Sequence, residues 1–101
     1  MDNQIIPKSF SLFGEKYKIS RLKELHKGTI FGLAEFTENK IKLAKTVNKK
    51  PLQEDQIEST YFHELVHMVL EALGHSELNK NEEFVDSFGR ALHQIIKTSE
   101  Y

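Results

Sequence analysis

The chain has 101 residues, of which 39% are hydrophobic and 29% are charged, and its formal net charge is −1. This length predicts one small domain over residues 1–101, and the near-neutral charge does not indicate nucleic acid or a membrane surface as a partner. The absence of cysteine excludes disulfides and thiolate metal sites. We find neither a signal peptide after Met1 nor an apolar run of the ~20 residues that span a bilayer, so we expect a cytoplasmic protein.

The first part of the sequence is predicted to form strands. After an irregular lead over residues 1–7, Phe10 and Leu12 alternate with serines, and Gly14 is typical of a hairpin turn. Residues 17–22 are again nearly alternating, which indicates a second strand or the start of a short helix. We therefore expect a hairpin with one buried face.

Two more strands are predicted before the helical part of the chain. Residues 29–36 form the first, and residues 40–45 form the second after a turn at residues 38–39. In the second of these strands, lysines alternate with Ile41 and Leu43, which indicates one wet face and one buried face. The lysine row favours an exposed face that resists pairing with other sheets over a surface that binds nucleic acid.

A long helix is predicted next. After a polar connection over residues 48–51, it begins between residues 52 and 55 and ends at Leu73, with Gly74 as the residue that closes it. Its buried stripe consists of apolar residues at helical spacing, namely Phe62, Val66, Val69 and Leu73.

This helix carries the sequence His63-Glu64-Leu65-Val66-His67. Residues four apart project from one face of a helix, so both histidines can bind one metal ion while Glu64 lies beside them. Two imidazoles and a third protein ligand leave one zinc position free, which is the arrangement of a catalytic site. The alternative is a surface helix with two histidines. The long apolar helix around the motif and the carboxylates that follow favour the metal site.

A second helix is predicted over residues 81–97, after a polar loop over residues 75–80. Glu82 and Asp86 share one face of this helix. Glu82 can therefore complete a zinc site, and Asp86 can accept the free ring N–H of a ligand histidine. Glu83 is the rival ligand, but it projects about 100° away and has no aspartate four residues later.

The two acidic residues also have simpler interpretations. With Asn79 as the N-cap, Glu82 would be the third residue of a capping box, and Asp86 would be a solvated surface residue. His93 lies too far along the helix to bind the same ion, and we expect it to be structural.

The spacing of these residues resembles that of a known family. The motif His63-Glu64-x-x-His67, followed by Asn81-Glu82-x-x-x-Asp86-x-Phe88-Gly89, is similar to the zinc and glutamate helices of thermolysin-like gluzincins. In size and order the chain resembles the minigluzincins, short zincin-like proteins of phages and mobile elements, and more distantly the ImmA/IrrE family. The resemblance covers about residues 28–97. It implies that Glu82 binds zinc and that Asp86 supports a ligand histidine.

Larger gluzincins carry a downstream histidine or tyrosine that stabilises the oxyanion. The sequence is short after residue 97, so the resemblance implies that this residue is missing or supplied locally. The local candidates are Tyr61, His75, Arg90 and Tyr101. For each a simpler role is favoured: we expect Tyr61 to pack beside the zinc helix, His75 and Arg90 to lie in solvent, and Tyr101 to be disordered.

Together these observations predict an α+β, zincin-like fold, in which a small, mostly antiparallel sheet of three or four strands precedes a zinc-binding helix and a glutamate helix. The predicted function is a zinc metallopeptidase with one Zn²⁺ on His63, His67 and Glu82, and with Glu64 as general base towards a peptide or protein substrate. A non-catalytic or zymogen-like zinc module and a regulatory binding protein of mobile-element type are the alternatives. The sequence gives no indication of oligomeric state.

Overall fold

A computed structural model describes residues 4–101 and has an α+β fold, with a four-stranded mixed sheet and helices. The beginning of the predicted lead, residues 1–3, lies outside the described residues. The expectation that no signal peptide follows Met1 depends partly on these residues, and the structure does not test it.

The sheet is built from four of the six strands. The strands are β1 (Ser9–Leu12), β2 (Glu15–Leu22), β3 (Gly32–Glu35), β4 (Lys40–Ala44), β5 (Thr46–Val47) and β6 (Lys50–Pro51). The sheet order is β1-β2-β4-β3, and β5 pairs with β6 separately. The β1–β2 and β3–β4 pairs are antiparallel, whereas the central β2–β4 pair is parallel. The sheet is therefore mixed: two of its three pairings are antiparallel, as expected, and the central parallel pairing was not predicted.

Two connections also differ from the sequence-based expectation. The strand expected over residues 29–36 is limited to β3, because 3₁₀ turns at His26–Gly28 and Phe36–Glu38 flank it. The polar connection expected at residues 48–51 is the turn and second strand of the β5–β6 ribbon. Asn48 and Lys49 form this turn with positive φ angles of 52° and 65°, which a tight hairpin turn requires.

The helices are α1 (Glu54–Leu73), α2 (Ser76–Asn79) and α3 (Glu82–Thr98). α1 begins and ends as predicted, and Gly74 closes it with a φ of 79°. α2 occupies part of the segment expected to be a loop. No helix in residues 4–101 is long and apolar enough to cross a membrane.

The main core lies between the sheet and α1. Ile41 and Leu43 of β4 are fully buried, and they belong to one apolar cluster with Tyr61, Phe62 and Met68 of α1. Tyr61 is 4% exposed, as expected for a core residue, and this burial raises the pKa of its phenol to about 12. Tyr61 is therefore excluded as a residue that faces the candidate site.

Two glycines let neighbouring elements approach α1 closely. A Cβ atom at Gly89 of α3 would lie 3.2 Å from the backbone N and Cα of His63. At Gly32 of β3, a Cβ atom would lie 2.5 Å from the side chain of Thr60 and 3.2 Å from that of Glu64. Any larger residue would push these elements apart. The glycines thus hold β3 and α3 on either side of the His63–His67 segment.

Candidate metal centre

The structure brings together the three residues that the sequence predicts as metal ligands. His63 Nε2 lies 3.3 Å from Glu82 Oε1, and His67 Nε2 lies 3.2 Å from Glu82 Oε2. The two imidazole rings are on consecutive turns of α1 with their centroids 5.0 Å apart. Glu82 reaches them because it is the first residue of α3, which packs antiparallel to α1.

The contact between His67 and Glu82 is suited to a cation between the two side chains. Asn79 Oδ1 lies 2.6 Å from His67 Nδ1. An amide oxygen can only accept a hydrogen bond, so Nδ1 carries the hydrogen and Nε2 of the neutral ring presents a lone pair. That lone pair faces a carboxylate oxygen, which is also an acceptor. A metal ion or an additional proton would relieve this opposition.

The separations fit a zinc ion. Zinc binds imidazole nitrogen and carboxylate oxygen at about 2.0–2.1 Å, so adjacent ligands of a tetrahedron lie about 3.3 Å apart. The nitrogen–oxygen separations of 3.3 and 3.2 Å, each to a different oxygen of Glu82, are close to this value. Two imidazoles and one carboxylate are also a ligand set that zinc prefers in catalytic sites. The residues present therefore fit the predicted metal.

Asp86 lies beside the centre but not within hydrogen-bonding distance of it. Its Oδ1 atom is 3.6 Å from His63 Nδ1, and its Oδ2 atom is 3.1 Å from Arg90 Nε. A separation of 3.6 Å is too long for a hydrogen bond. Asp86 is therefore adjacent to His63 but does not make the predicted hydrogen bond with its ring N–H, and Arg90 pairs with its carboxylate from the next helical turn.

Glu64 projects towards β3 from the same part of α1. Burial raises the pKa of the Glu64 carboxyl above its usual value, and the nearby histidines and a backbone hydrogen bond from Ala34 oppose the rise. The negative charge of Glu82 raises the pKa of Glu64 further. A carboxylate in this setting accepts a proton more readily than a solvated one.

Two clefts flank Glu64 along the open edge of the sheet. One has a volume of about 520 Å³ and is lined by Ala34, His67 and Asn79, among others. The other has a volume of about 320 Å³ and is lined by Gly32, His63 and Asp86, among others. Glu64 lines both clefts. The candidate metal centre is therefore open to solvent on both sides.

The edge of β3 directs backbone groups towards these clefts, and one of them, the Ala34 N–H, donates to Glu64. Ala44 donates its N–H to the carbonyl of Phe31 at 2.9 Å. In an antiparallel pair, hydrogen-bonded and non-hydrogen-bonded residues alternate. Gly32 and Ala34 therefore direct their N–H and C=O groups away from β4, towards the open edge beside Glu64.

Several sequence-based expectations at the site are revised. The N-cap of α3 is Asn81, whose side chain accepts the N–H of Phe84 at 3.0 Å, so the capping box of Asn79 and Glu82 does not form. Glu83 is exposed and belongs to neither of the metal-compatible clusters in residues 4–101. Arg90 is exposed, as expected, and it also pairs with Asp86, which was not predicted.

Sequence reasoning missed the contact of Asn79 with His67. The only signal available was an asparagine twelve residues after the second histidine of the motif, in a segment expected to be a loop. His75 is exposed, in agreement with its expected place in solvent, and Tyr101 is also exposed.

A second cluster of similar composition lies towards the other end of α3. His93 Nε2 is 2.9 Å from Glu58 Oε1 and 3.9 Å from Asp55 Oδ1. Lys97 contributes an ammonium group, 2.8 Å from Glu58 and 2.7 Å from Asp55. His93 also stacks on Phe62 with a centroid separation of 5.5 Å. It is a structural histidine, as predicted.

Comparison with known proteins gives no match to this chain from family models, curated proteins or solved structures.

Proposed function

We propose that the chain is a zinc-dependent metallopeptidase of the gluzincin type, with a zincin-like fold. The observation that carries this proposal is the convergence of His63, His67 and Glu82, whose ligand atoms lie within 4.8 Å of one another. Glu64, which is not needed as a ligand, lies beside them in a largely buried position. The resemblance of the two helices to those of gluzincins supports the same assignment.

Each residue has a distinct part in the proposed mechanism. His63, His67 and Glu82 would hold the ion, which when bound lowers the pKa of a water molecule and polarises a carbonyl group. Glu64 would take a proton from that water and return it to the leaving amine. The burial that raises the pKa of Glu64 favours this exchange, because it brings the proton affinity of the carboxylate closer to that needed near neutral pH.

A peptide substrate would extend along β3. The N–H and C=O groups of Gly32 and the C=O group of Ala34 can pair with an extended backbone, as in other cases where a peptide adds a strand to a sheet edge, while the Ala34 N–H donates to Glu64. The two clefts on either side of Glu64 would receive side chains of the substrate. A bond between residues in the two clefts would lie next to Glu64, where proton transfer is proposed.

The decisive experiment is the substitution Glu64→Gln in the zinc-loaded protein. Glutamine preserves the size of the side chain but cannot accept a proton. We expect cleavage of a peptide library to fall by ~10²- to 10⁴-fold while zinc content and melting temperature are retained. Glu83→Gln, on an exposed position of α3, is the matched control and should cleave like the wild type.

The outcomes separate the proposal from its alternatives. A wild-type protein that binds one zinc ion and cleaves nothing in a broad library would contradict the peptidase function and favour a non-catalytic zinc module. Full activity in Glu64→Gln would show that another group takes the proton. The absence of zinc binding itself would contradict the whole proposal.

A further inference from the structure

α3 carries two apolar stripes, an inner one that packs against α1 and an outer one whose side chains are largely exposed, apart from Phe84, which is partly buried against Val66, Leu70 and Val85. Val85 and Gly89 on the inner stripe are buried. The outer stripe contains Phe88 and Ile95, which are 47% and 58% exposed. Apolar side chains that are exposed together on one helix face mark a surface that binds another protein.

The outer stripe has the spacing of a coiled-coil seam. Its members are separated by four, three and four residues, namely Phe84, Phe88, Ala91 and Ile95. Alternating steps of three and four residues keep side chains aligned with a partner helix. Phe84 and Phe88 are already stacked, with ring centroids 5.5 Å apart. α3 has 17 residues and is about 25 Å long, which is enough for a short seam.

We propose that this stripe binds the same stripe of a second copy of the chain, with the two α3 helices antiparallel. In that orientation, a twofold axis between residues 88 and 91 places each Phe88 opposite Ala91 of the second copy. It also places Phe84 opposite Ile95. A large residue then meets a small one in the two central layers, which permits close packing without voids. The stripe is thus complementary to itself.

The residues that flank the seam are compatible with this arrangement. Ser87 and Gln94 lie beside it at equivalent positions, and neither carries a charge that would repel its counterpart. Glu82 and Asp86 lie on the opposite side of the helix from the seam. The dimer would therefore leave the candidate metal centre and both clefts open.

The expected dimer is weak. A single helix face of this length covers roughly 400 Å² per partner, about half the area of a standard interface. We therefore expect a reversible equilibrium with a dissociation constant in the micromolar range.

Sedimentation equilibrium over micromolar to millimolar concentrations tests the dimer. The wild type should pass from monomer to dimer as concentration rises. Phe88→Ser and Ile95→Ser should each raise the dissociation constant by about tenfold or more, because they remove apolar side chains from the centre and the end of the seam. Phe13→Ser is the control, since Phe13 is 70% exposed but lies at the β1–β2 turn. A monomer at every concentration, or a dimer unaffected by Phe88→Ser, would overturn the proposal.

Disulfide cross-linking tests the relative orientation of the two α3 helices. Only the introduced cysteines can react, because the chain has no cysteine of its own. Ser87→Cys and Gln94→Cys proteins, mixed and mildly oxidised, should form mainly the mixed disulfide dimer if the helices are antiparallel. A Ser87→Cys protein that preferentially links to itself would indicate parallel helices and would also overturn the proposal. Zinc content should be the same in every variant, since none of these residues contacts the candidate centre.

Discussion

Two clusters of histidine and carboxylate side chains lie along the contact between α1 and α3, and their compositions are similar. His63, His67 and Glu82 form one, and Asp55, Glu58 and His93 form the other. In both, the potential ligand atoms lie within 4.8 Å of one another. The number and spacing of donors therefore do not by themselves distinguish a metal site from an internal ion network.

The two clusters differ in where their positive charge comes from. Lys97 places its ammonium group between Asp55 and Glu58, with contacts of 2.7 and 2.8 Å. In the other cluster, the imidazole nitrogens of His63 and His67 face the Glu82 carboxylate directly. The first network already contains the lysine ammonium group, whereas in the second His67 and Glu82 present two acceptors that a cation would join. This difference is why we propose zinc at only one of the two clusters.

They also differ in burial. The side chain of Glu58 is 5% exposed, whereas that of Glu82 is 68% exposed. A buried carboxylate needs permanent partners, because removing its charge from water is costly. An exposed carboxylate beside open clefts can exchange water for a metal ion. The comparison thus supports the proposal that the Glu82 cluster binds the metal ion and that the Glu58 cluster does not.

The largest expected effect is on zinc affinity. His63→Ala, His67→Ala and Glu82→Ala should each weaken binding by more than ~100-fold, because a direct ligand contributes more than the groups that orient it. Competition with a chromophoric chelator measures the affinity, and metal analysis should give one zinc ion per chain for the wild type.

Two control variants remove neighbouring groups that we do not expect to bind zinc. Glu83→Ala removes the neighbouring carboxylate on α3, and His93→Ala removes the histidine of the other cluster. Neither should change zinc affinity. If Glu83→Ala releases the metal while Glu82→Ala retains it, the assignment of the third ligand is wrong.

A smaller effect is expected when the buried carboxylate of the second cluster is neutralised. Glu58→Gln keeps the size of the side chain but replaces two charge-assisted hydrogen bonds, from His93 and Lys97, with neutral-acceptor ones. We expect the free energy of unfolding to fall by about 2 kcal/mol, measured by urea denaturation of the metal-free protein.

The zinc stoichiometry of Glu58→Gln should stay at that of the wild type. Glu38→Gln, in the exposed 3₁₀ turn before β4, is the control for stability. A loss of bound metal in Glu58→Gln would mean that the second cluster binds an ion, and the distinction based on Lys97 would then fail.

The sequence predicted the candidate site better than the sheet, for a physical reason. The geometry of His63 and His67 follows from helical periodicity alone, and the reach of Glu82 follows from the antiparallel packing of two neighbouring helices. The parallel pairing of β2 with β4 joins strands that are not consecutive, and local alternation of polar and apolar residues contains no information about it.

The start of α3 shows a different limit. Asn79 and Asn81 are both suitable N-cap residues by type, and the sequence analysis considered Asn79. Asn81 is the observed cap, which leaves Asn79 at the end of α2 to contact His67. Only the fold of the short α2 segment decides between them. Because the start of α3 can be predicted only to within a few residues, the contact between Asn79 and His67 could not be predicted from the sequence alone.

The smallest expected effect concerns the groups that orient the histidines. Asn79→Ala removes the acceptor 2.6 Å from His67 Nδ1, so the ring loses the contact that directs its Nε2 lone pair towards Glu82. We expect zinc affinity to fall by about tenfold. Asp86→Asn should have a smaller effect, because Asp86 lies 3.6 Å from His63 Nδ1. Asn79→Asp retains an acceptor and should restore affinity.

Asn81→Ala removes the helix cap and should reduce stability by about 1 kcal/mol, with less effect on zinc affinity. If Asn81→Ala weakens zinc binding as much as Asn79→Ala does, Asn79 acts through the position of α3 and not through His67.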